Sequence, residues 1–403
     1  MSASHGENAH RRETATKGSL WEVWAVSTRL GLTSFGGPAA HLGYFREEYV
    51  ERRKWLHEKT YAQLVALCQF LPGPASSQVG IAIGLLRAGV WGGVVSWLGF
   101  TLPSVILLTG FALALQGANP ESAGWLRGLL IAAVAVVAHA VWGMGKNLAP
   151  DRSRATLALF SAVAVLLWPH GWMQVLVILV AGMWGWKFFK PSNTEHPVAV
   201  HIPISRKGAL IAWILFAGLL LFLPLLRQMN DNVWLAMLDS FYRTGSLVFG
   251  GGHVVLPLLQ SEVVPNGWMS TGEFLAGYAA AQAVPGPMFT FAAYLGAVIK
   301  GWTGALWATA AIFLPSFLLL FGMLPFWESI RRRPGIQAAL AGINAAVVGI
   351  LLAALYDPIW TKAIHSPLDV GFALVTFALI TFWRWPAWLI VGLAAVGGMV
   401  LYE

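Results

Sequence analysis

The chain states one set of motifs twice. Residues 29–104 contain RLGLTSFGGPAAHLGYF, then QFLPGP, then FTLPS; residues 243–316 contain RTGSLVFGGGHVVL, then QAVPGP, then FLPS. Phe35-Gly36-Gly37 answers Phe249-Gly250-Gly251, Trp55 answers Trp268, Gln69 answers Gln282, and Pro103-Ser104 answers Pro315-Ser316. From Trp to Gln the spacing is 14 residues in both copies. Such register identifies an internal duplication, and a duplication in a very apolar chain is a mark of transporter architecture.

How apolar the chain is decides the class. It is 57% hydrophobic and only 11% charged, with a mean hydropathy of +0.65. That is too little charge to cover a soluble surface. Apolar runs at 94–115, 125–145, 208–226, 303–324, 336–356 and 367–402 approach or exceed the roughly 20 residues a spanning helix needs. The expected fold class is therefore an all-α polytopic membrane protein. Tryptophans such as Trp21, Trp91, Trp125, Trp168, Trp360 and Trp385 crowd near segment ends, as an interfacial belt requires. The net charge of +8 comes from cations in loops flanking apolar segments, which orient a membrane protein and do not suggest a nucleic-acid partner. Residues 1–19 are polar and lack an apolar core, so no cleavable signal peptide is expected. A single cysteine, Cys68, leaves no intrachain disulfide and no cysteine metal cluster. With no HExxH, CxxC, P-loop or dinucleotide fingerprint, the expectation is no metal, no cofactor and no enzyme.

The expected organisation is a cytoplasmic tail at 1–19, a first repeat at 20–189, a linker with a connecting helix at 190–232, and a second repeat at 233–403. Loop charge sets the orientation. Loop 41–60 holds Arg46, Arg52, Arg53, Lys54 and Lys59, whereas its counterpart 253–271 holds no Lys or Arg. Conversely, 117–123 holds none, while its counterpart has Arg331, Arg332 and Arg333. The bias flips between copies, which predicts two repeats of inverted topology, with about nine full spans and four broken or re-entrant segments.

The breaks lie at the FGG and PGP motifs. Non-helical backbone at membrane depth survives only where protein or a water-filled cavity satisfies its polar groups. Each break also leaves free N–H groups at the start of a half-helix, a natural anion site. The candidate anion-binding residues are Arg29, Thr33, Ser34, Gly36, Gly37, Gln69, Gly73, Ser76 and Ser77 in the first copy. In the second they are Arg243, Ser246, Gly250, Gly251, Gln282, Gly286 and Thr290. Arg29 and Arg243 occupy matched positions, and an arginine in an apolar segment marks either function or an end that snorkels to the interface. His41, His253, Glu47, Glu48 and Glu262 are candidates for a coupling proton, with plain interfacial roles as the alternative. Asp239 is placed to pair with Arg243 at i+4, and His139 to make an interhelical hydrogen bond.

The run SFGGPAAHLGYFREEYVERRKWL with QFLPGP, repeated as VFGGGHVVL with QAVPGP, resembles the chromate ion transporter superfamily in its long, two-domain form. The likeness covers nearly the whole chain. Its motif positions fall on Phe35, Gly36, Gly37, Pro38, His41, Pro72, Gly73 and Pro74, and on Gly250, Gly251, Gly252, His253, Pro285, Gly286 and Pro287. Gly252 stands where the first copy has Pro38, so the two breaks need not be equivalent. The resemblance implies a multi-pass protein of the bacterial inner membrane that exports chromate and confers chromate resistance, with sulfate as a competing or related substrate. Gradient-driven alternating access is the expected mechanism; a channel and a membrane-bound chromate reductase are the alternatives. Chromate, sulfate and the lipid bilayer are the implied partners, and a homodimer stays open.

Overall fold

The computed structural model describes residues 18–115, 124–169, 171–189, 204–249, 252–327 and 333–402. Gly250, Gly251, Arg331, Arg332, the loop at 117–123, residues 1–17 of the tail and the linker residues before 204 lie outside them. The first repeat comprises α1 (Leu20–Thr33), α2 (Gly37–Phe45), a π-helical segment (Arg46–Arg52), α3 (Glu58–Phe70), α4 (Ala75–Leu115), α5 (Gly124–Leu148), α6 (Arg152–Leu167) and α7 (Gly171–Phe188). After the connecting α8 (Arg206–Gln228), the second comprises α9 (Val233–Leu247), α10 (Val255–Val263), α11 (Thr271–Ala283), α12 (Phe291–Met323), α13 (Pro334–Ala354), α14 (Pro367–Thr381) and α15 (Ala387–Tyr402). Among the described residues there is no strand.

Local sequence explains where helices start and stop. Ser19 caps α1 and Asn232 caps the matched α9 through side-chain oxygens. The first copy then breaks at FGG and both copies at PGP, while α9 ends at Leu247, just before the second FGG. Gly36 and Gly37 take φ of 95° and 79°, and in the PGP breaks Gly73 and Gly286 take 111° and 95°. A third break recurs. Ala88-Gly89 in α4 and Lys300-Gly301 in α12 share one non-helical conformation, with glycine φ of 71° and 62°. There each helix doubles back on itself. Gly84 lies against the backbone of Gly92, and Gly296 against that of Gly304; the Ser96 hydroxyl donates to the Gly80 carbonyl at 2.8 Å. Thus α4 and α12 are helical hairpins. The charged stretch 41–60, expected as a loop or interfacial helix, is the end of α2 with the π-helical segment and the start of α3.

The central limbs of α4 and α12 run antiparallel. Trp97 packs on Phe313 and Phe317, while Phe111, farther along α4, packs on Tyr294. Because Gly296 abuts Gly304, Tyr294 is level with the start of the second limb of α12. The two-fold relating the halves therefore crosses the spanning helices instead of running along them, which is the geometry of inverted repeats.

The repeats also exchange their last two helices. The α14–α15 hairpin packs on α5 of the first repeat, and α6 and α7 pack on α13 of the second. Both contacts use small residues four apart, which let backbones meet where lipid offers no hydrophobic drive. Gly124 and Gly128 face Ala394 and Gly398; Ala338 and Gly342 face Ala181 and Gly185. Among the described residues, five helical runs are long and apolar enough to cross a membrane: α4, α5, α8, Met288–Phe326 and Pro334–Ala363. α7, α14 and α15 are apolar but shorter. The outer surface is apolar as well, with Trp21, Phe160, Leu221 and Val400 more than half exposed, as a hydrocarbon solvent allows.

Candidate functional site

The breaks of the two repeats meet in reciprocal pairs. Gly73 N–H donates to the Val248 carbonyl at 2.7 Å, and Gly286 N–H donates to the Ser34 carbonyl at 2.9 Å. Ser34 and Val248 each precede the motif phenylalanine, so the PGP break of either copy is tied to the FGG break of the other. The Ser104 hydroxyl donates to the Pro285 carbonyl, while Ser316, its counterpart, faces Gly73. These bonds satisfy backbone groups that helix breaks would otherwise leave bare at membrane depth.

A cavity of about 420 Å³ opens beside this crossing. The first repeat contributes Gly36, Gly37, Val136 and His139 to its wall, and the second contributes His253, Gln282, Gly286, Thr381, Arg384 and Trp385, among others. The His139 Nδ1 lies 3.0 Å from the Thr381 hydroxyl, the interhelical bond expected of it. The His253 Nδ1 lies 2.8 Å from the Tyr278 hydroxyl. One guanidinium and two imidazoles line the cavity, with no carboxylate among its described lining residues. A cavity whose one formally charged group, among those described lining residues, is a cation suits an anion.

Five residues expected from sequence line the cavity: Gly36, Gly37, Gln282, Gly286 and His253. Ser34 and Gly73 belong to the crossing through their backbones. Ser76 is buried against His41, with 3.3 Å between its hydroxyl and Nδ1. The hydroxyls of Ser34, Ser77 and Ser316 are buried without a partner among the described residues. The remaining hydroxyls bond to nearby carbonyls: Thr33 to Arg29 at 2.8 Å, Ser246 to Tyr242 at 2.8 Å, and Thr290 to Pro287 at 2.7 Å. Such bonds are the ordinary habit of Ser and Thr in and beside helices.

Neither matched arginine lines the cavity. Arg29 and Gln69 are exposed. Arg243 pairs with Asp239 at 2.9 Å, as its i+4 spacing suggests, and with Glu262 at 3.0 Å; Arg227 joins the same carboxylates. Among the proton candidates, Glu47 is exposed, and Glu262 and Glu48 sit in ion-pair clusters of the two copies. Three residues with polar heads that motif comparison did not nominate, His139, Thr381 and Arg384, complete the wall. Arg384 and Thr381 belong to the stretch TFWRWPAW, where the copies share no motif.

Glu48 lies on the π-helical segment, bonded by Arg53 Nε at 2.6 Å and Arg52 Nη1 at 3.0 Å. Burial alone would raise its pKa, but the bonds from Arg53 and Arg52 outweigh it and hold the carboxyl below the ordinary 4.5. A depressed carboxylate contributes stability that is present above its unfolded pKa and lost as pH falls through the folded one. Thermal stability should thus hold from pH 7 down to about pH 5 in this respect and decline below that. In Glu48→Gln that acid-side slope should shrink, as followed by tryptophan fluorescence during heating.

The family model described as "Chromate transporter" matches residues 21–186 and again 235–399, one match per repeat. The "Chromate transport protein" of Pseudomonas aeruginosa is 28% identical over 371 residues, covering 90% of this chain and 87% of that protein. The protein of the same description from Cupriavidus metallidurans is 27% identical over 400 residues, covering 96% and 95%. The "Uncharacterized transporter YwrA" of Bacillus subtilis is 33% identical over 169 residues, which is 94% of its length but only 40% of this chain. No solved structure matches the chain.

Proposed function

This chain belongs to the chromate transporter family, and from that premise we propose that it moves chromate out of the cell across the bacterial inner membrane and so confers chromate resistance. The observation that carries this reading is the cavity at the crossing of the breaks, with basic and neutral polar groups on its wall and no described carboxylate. A tetrahedral dianion there meets the Gln282 amide, the Thr381 hydroxyl, imidazoles and a guanidinium, the donor types that recognise oxyanions. Both repeats supply wall residues, so a rocking of one half against the other opens the cavity to alternate faces. An ion or proton gradient supplies the drive. His253 is the one proton candidate on the wall.

Sulfate is the second reading, since its shape and charge are those of chromate. Uptake of labelled chromate into everted vesicles tests both, with sulfate as competitor and an uncoupler to remove the gradient. The expected result is saturable, uncoupler-sensitive accumulation of unreduced chromate, partly inhibited by sulfate. Non-saturating flux that ignores the uncoupler would replace the transporter with a channel. Emergence of reduced chromium would make the chain an enzyme.

A further inference from the structure

We propose that Arg384, carried by the exchanged terminal hairpin, is the cation that recognises the oxyanion in this cavity; the proposal rests on the anion-transport reading above. Three observations converge on it.

Arg384, itself exposed, belongs to a wall that also holds Gly36, Gly37 and Gly286, beside the place where the breaks meet. Its backbone is held in a left-handed conformation, φ 57°, which residues other than glycine rarely adopt. The end of α14 enforces it: the N–H groups of Phe382 and Trp383 both donate to the Ala378 carbonyl, and that of Trp385 to the Leu379 carbonyl at 3.1 Å. A left-handed residue is a common way for a helix to end, and here it fixes where the Arg384 backbone leaves α14.

Its charge also has no carboxylate partner among the described residues. Arg127, Arg227 and Arg243 each pair with a carboxylate, whereas no ion pair to Arg384 occurs among the described residues. A planar guanidinium can offer two parallel N–H groups to two oxygens of one oxyanion, which an ammonium cannot. Thr381 lies just before it at the end of α14 and adds a hydroxyl donor. Recognition would then be asymmetric, with breaks from both repeats but a cation from the second alone.

The competing role for an arginine flanked by Trp383, Trp385 and Trp388 is an interfacial anchor on lipid phosphates. Purified chain in vesicles of neutral lipid, and in vesicles with added anionic lipid, separates the two. Asparagine tolerates left-handed backbone, so Arg384→Asn removes the charge with least disturbance to the turn. The expected result is a rise of about tenfold or more in the chromate concentration giving half-maximal transport, the scale of a lost charged hydrogen bond. That rise should be the same in both lipids, with partial recovery in Arg384→Lys and a maximal rate that changes less. A wild-type half-saturation in Arg384→Asn overturns the assignment, as does a defect that follows lipid charge. Should Arg384→Asn fail to fold, Arg384→Lys alone decides: a charge kept on a less suitable head must still raise half-saturation. If the wild-type chain moves no chromate, the transport reading fails and takes this assignment with it; if it does and the variants match it, only the assignment fails.

Discussion

Gly286→Ala should abolish transport, and Gly73→Ala should do the same from the other side of the two-fold. At Gly286 a methyl group would drive into the Ser104 hydroxyl and meet the Phe100 carbonyl at 3.2 Å; at Gly73 it would lie 2.6 Å from the Ser316 hydroxyl. Backbone strain adds to crowding, because φ of 95° and 111° is open to glycine and costs other residues about 1–3 kcal/mol. Overpacking adds roughly 1–3 kcal/mol more. The damage falls on the N–H groups that bond across the repeats, so loss of transport should come with a lower melting temperature. Adding Ser104→Gly to Gly286→Ala removes the closest collision but also the bond to the Pro285 carbonyl, and leaves the dihedral strain, so it should restore stability only in part. Gly110→Ala, where a methyl meets nothing within 4 Å, should be silent in both assays. Normal transport by Gly286→Ala would contradict the crossing as described.

The second large effect is expected at Asp369. Its side chain is fully buried, and it accepts from Arg127 Nη2 at 2.9 Å, from the N–H groups of His365 and Ser366 at 2.9 Å each, and from the Tyr402 hydroxyl at 2.6 Å. Arg127 also stacks over the Tyr402 ring at 4.2 Å. One carboxylate thus joins α5 of the first repeat to both helices of the hairpin received from the second. Asp369→Ala leaves the partly exposed guanidinium, two backbone donors and a phenol without their acceptor, and unsatisfied buried donors cost about 1–3 kcal/mol. Unfolding in detergent, followed by tryptophan fluorescence, should shift sharply downward. Arg127→Met alone should cost less, and the double variant should fall short of the sum, because the two residues share the contact. Full additivity would show that the carboxylate does not bridge the halves.

What sequence made legible follows from what backbone chemistry demands. Glycine and proline announce broken helices because few other residues tolerate those dihedrals, so FGG and PGP located the crossing. Loop cations announced the inversion because orientation depends on them. Partner choice carries no such mark. Ala181 and Gly185 match Ala338 and Gly342 by smallness alone, and smallness does not say which helix will come close, so the hairpin exchange stayed hidden. The far wall of the cavity was hidden for a related reason. His139 was recognisable as a buried polar group with an interhelical bond, but nothing tied it to Arg384, which lies outside any repeated motif. Arg29 and Arg243 stood out because their positions match. One is exposed and the other is held by two carboxylates, uses of an arginine that matched spacing does not distinguish from ligand binding.

Exchange of the terminal hairpins has a consequence for how the chain is made. Arg127 and Asp369 are 242 residues apart, and Ser104 and Pro285 are 181 apart. Helices of the first half enter the bilayer while the groups that complete them are still untranslated, and closing such long loops delays packing. Until then, the bare backbone at Pro72-Gly73-Pro74 needs water or the insertion machinery to hold its polar groups. Ribosomes that stall past the first repeat would thus leave a product with open polar breaks in lipid, a natural target for membrane proteases. The first half is finished only when the second arrives.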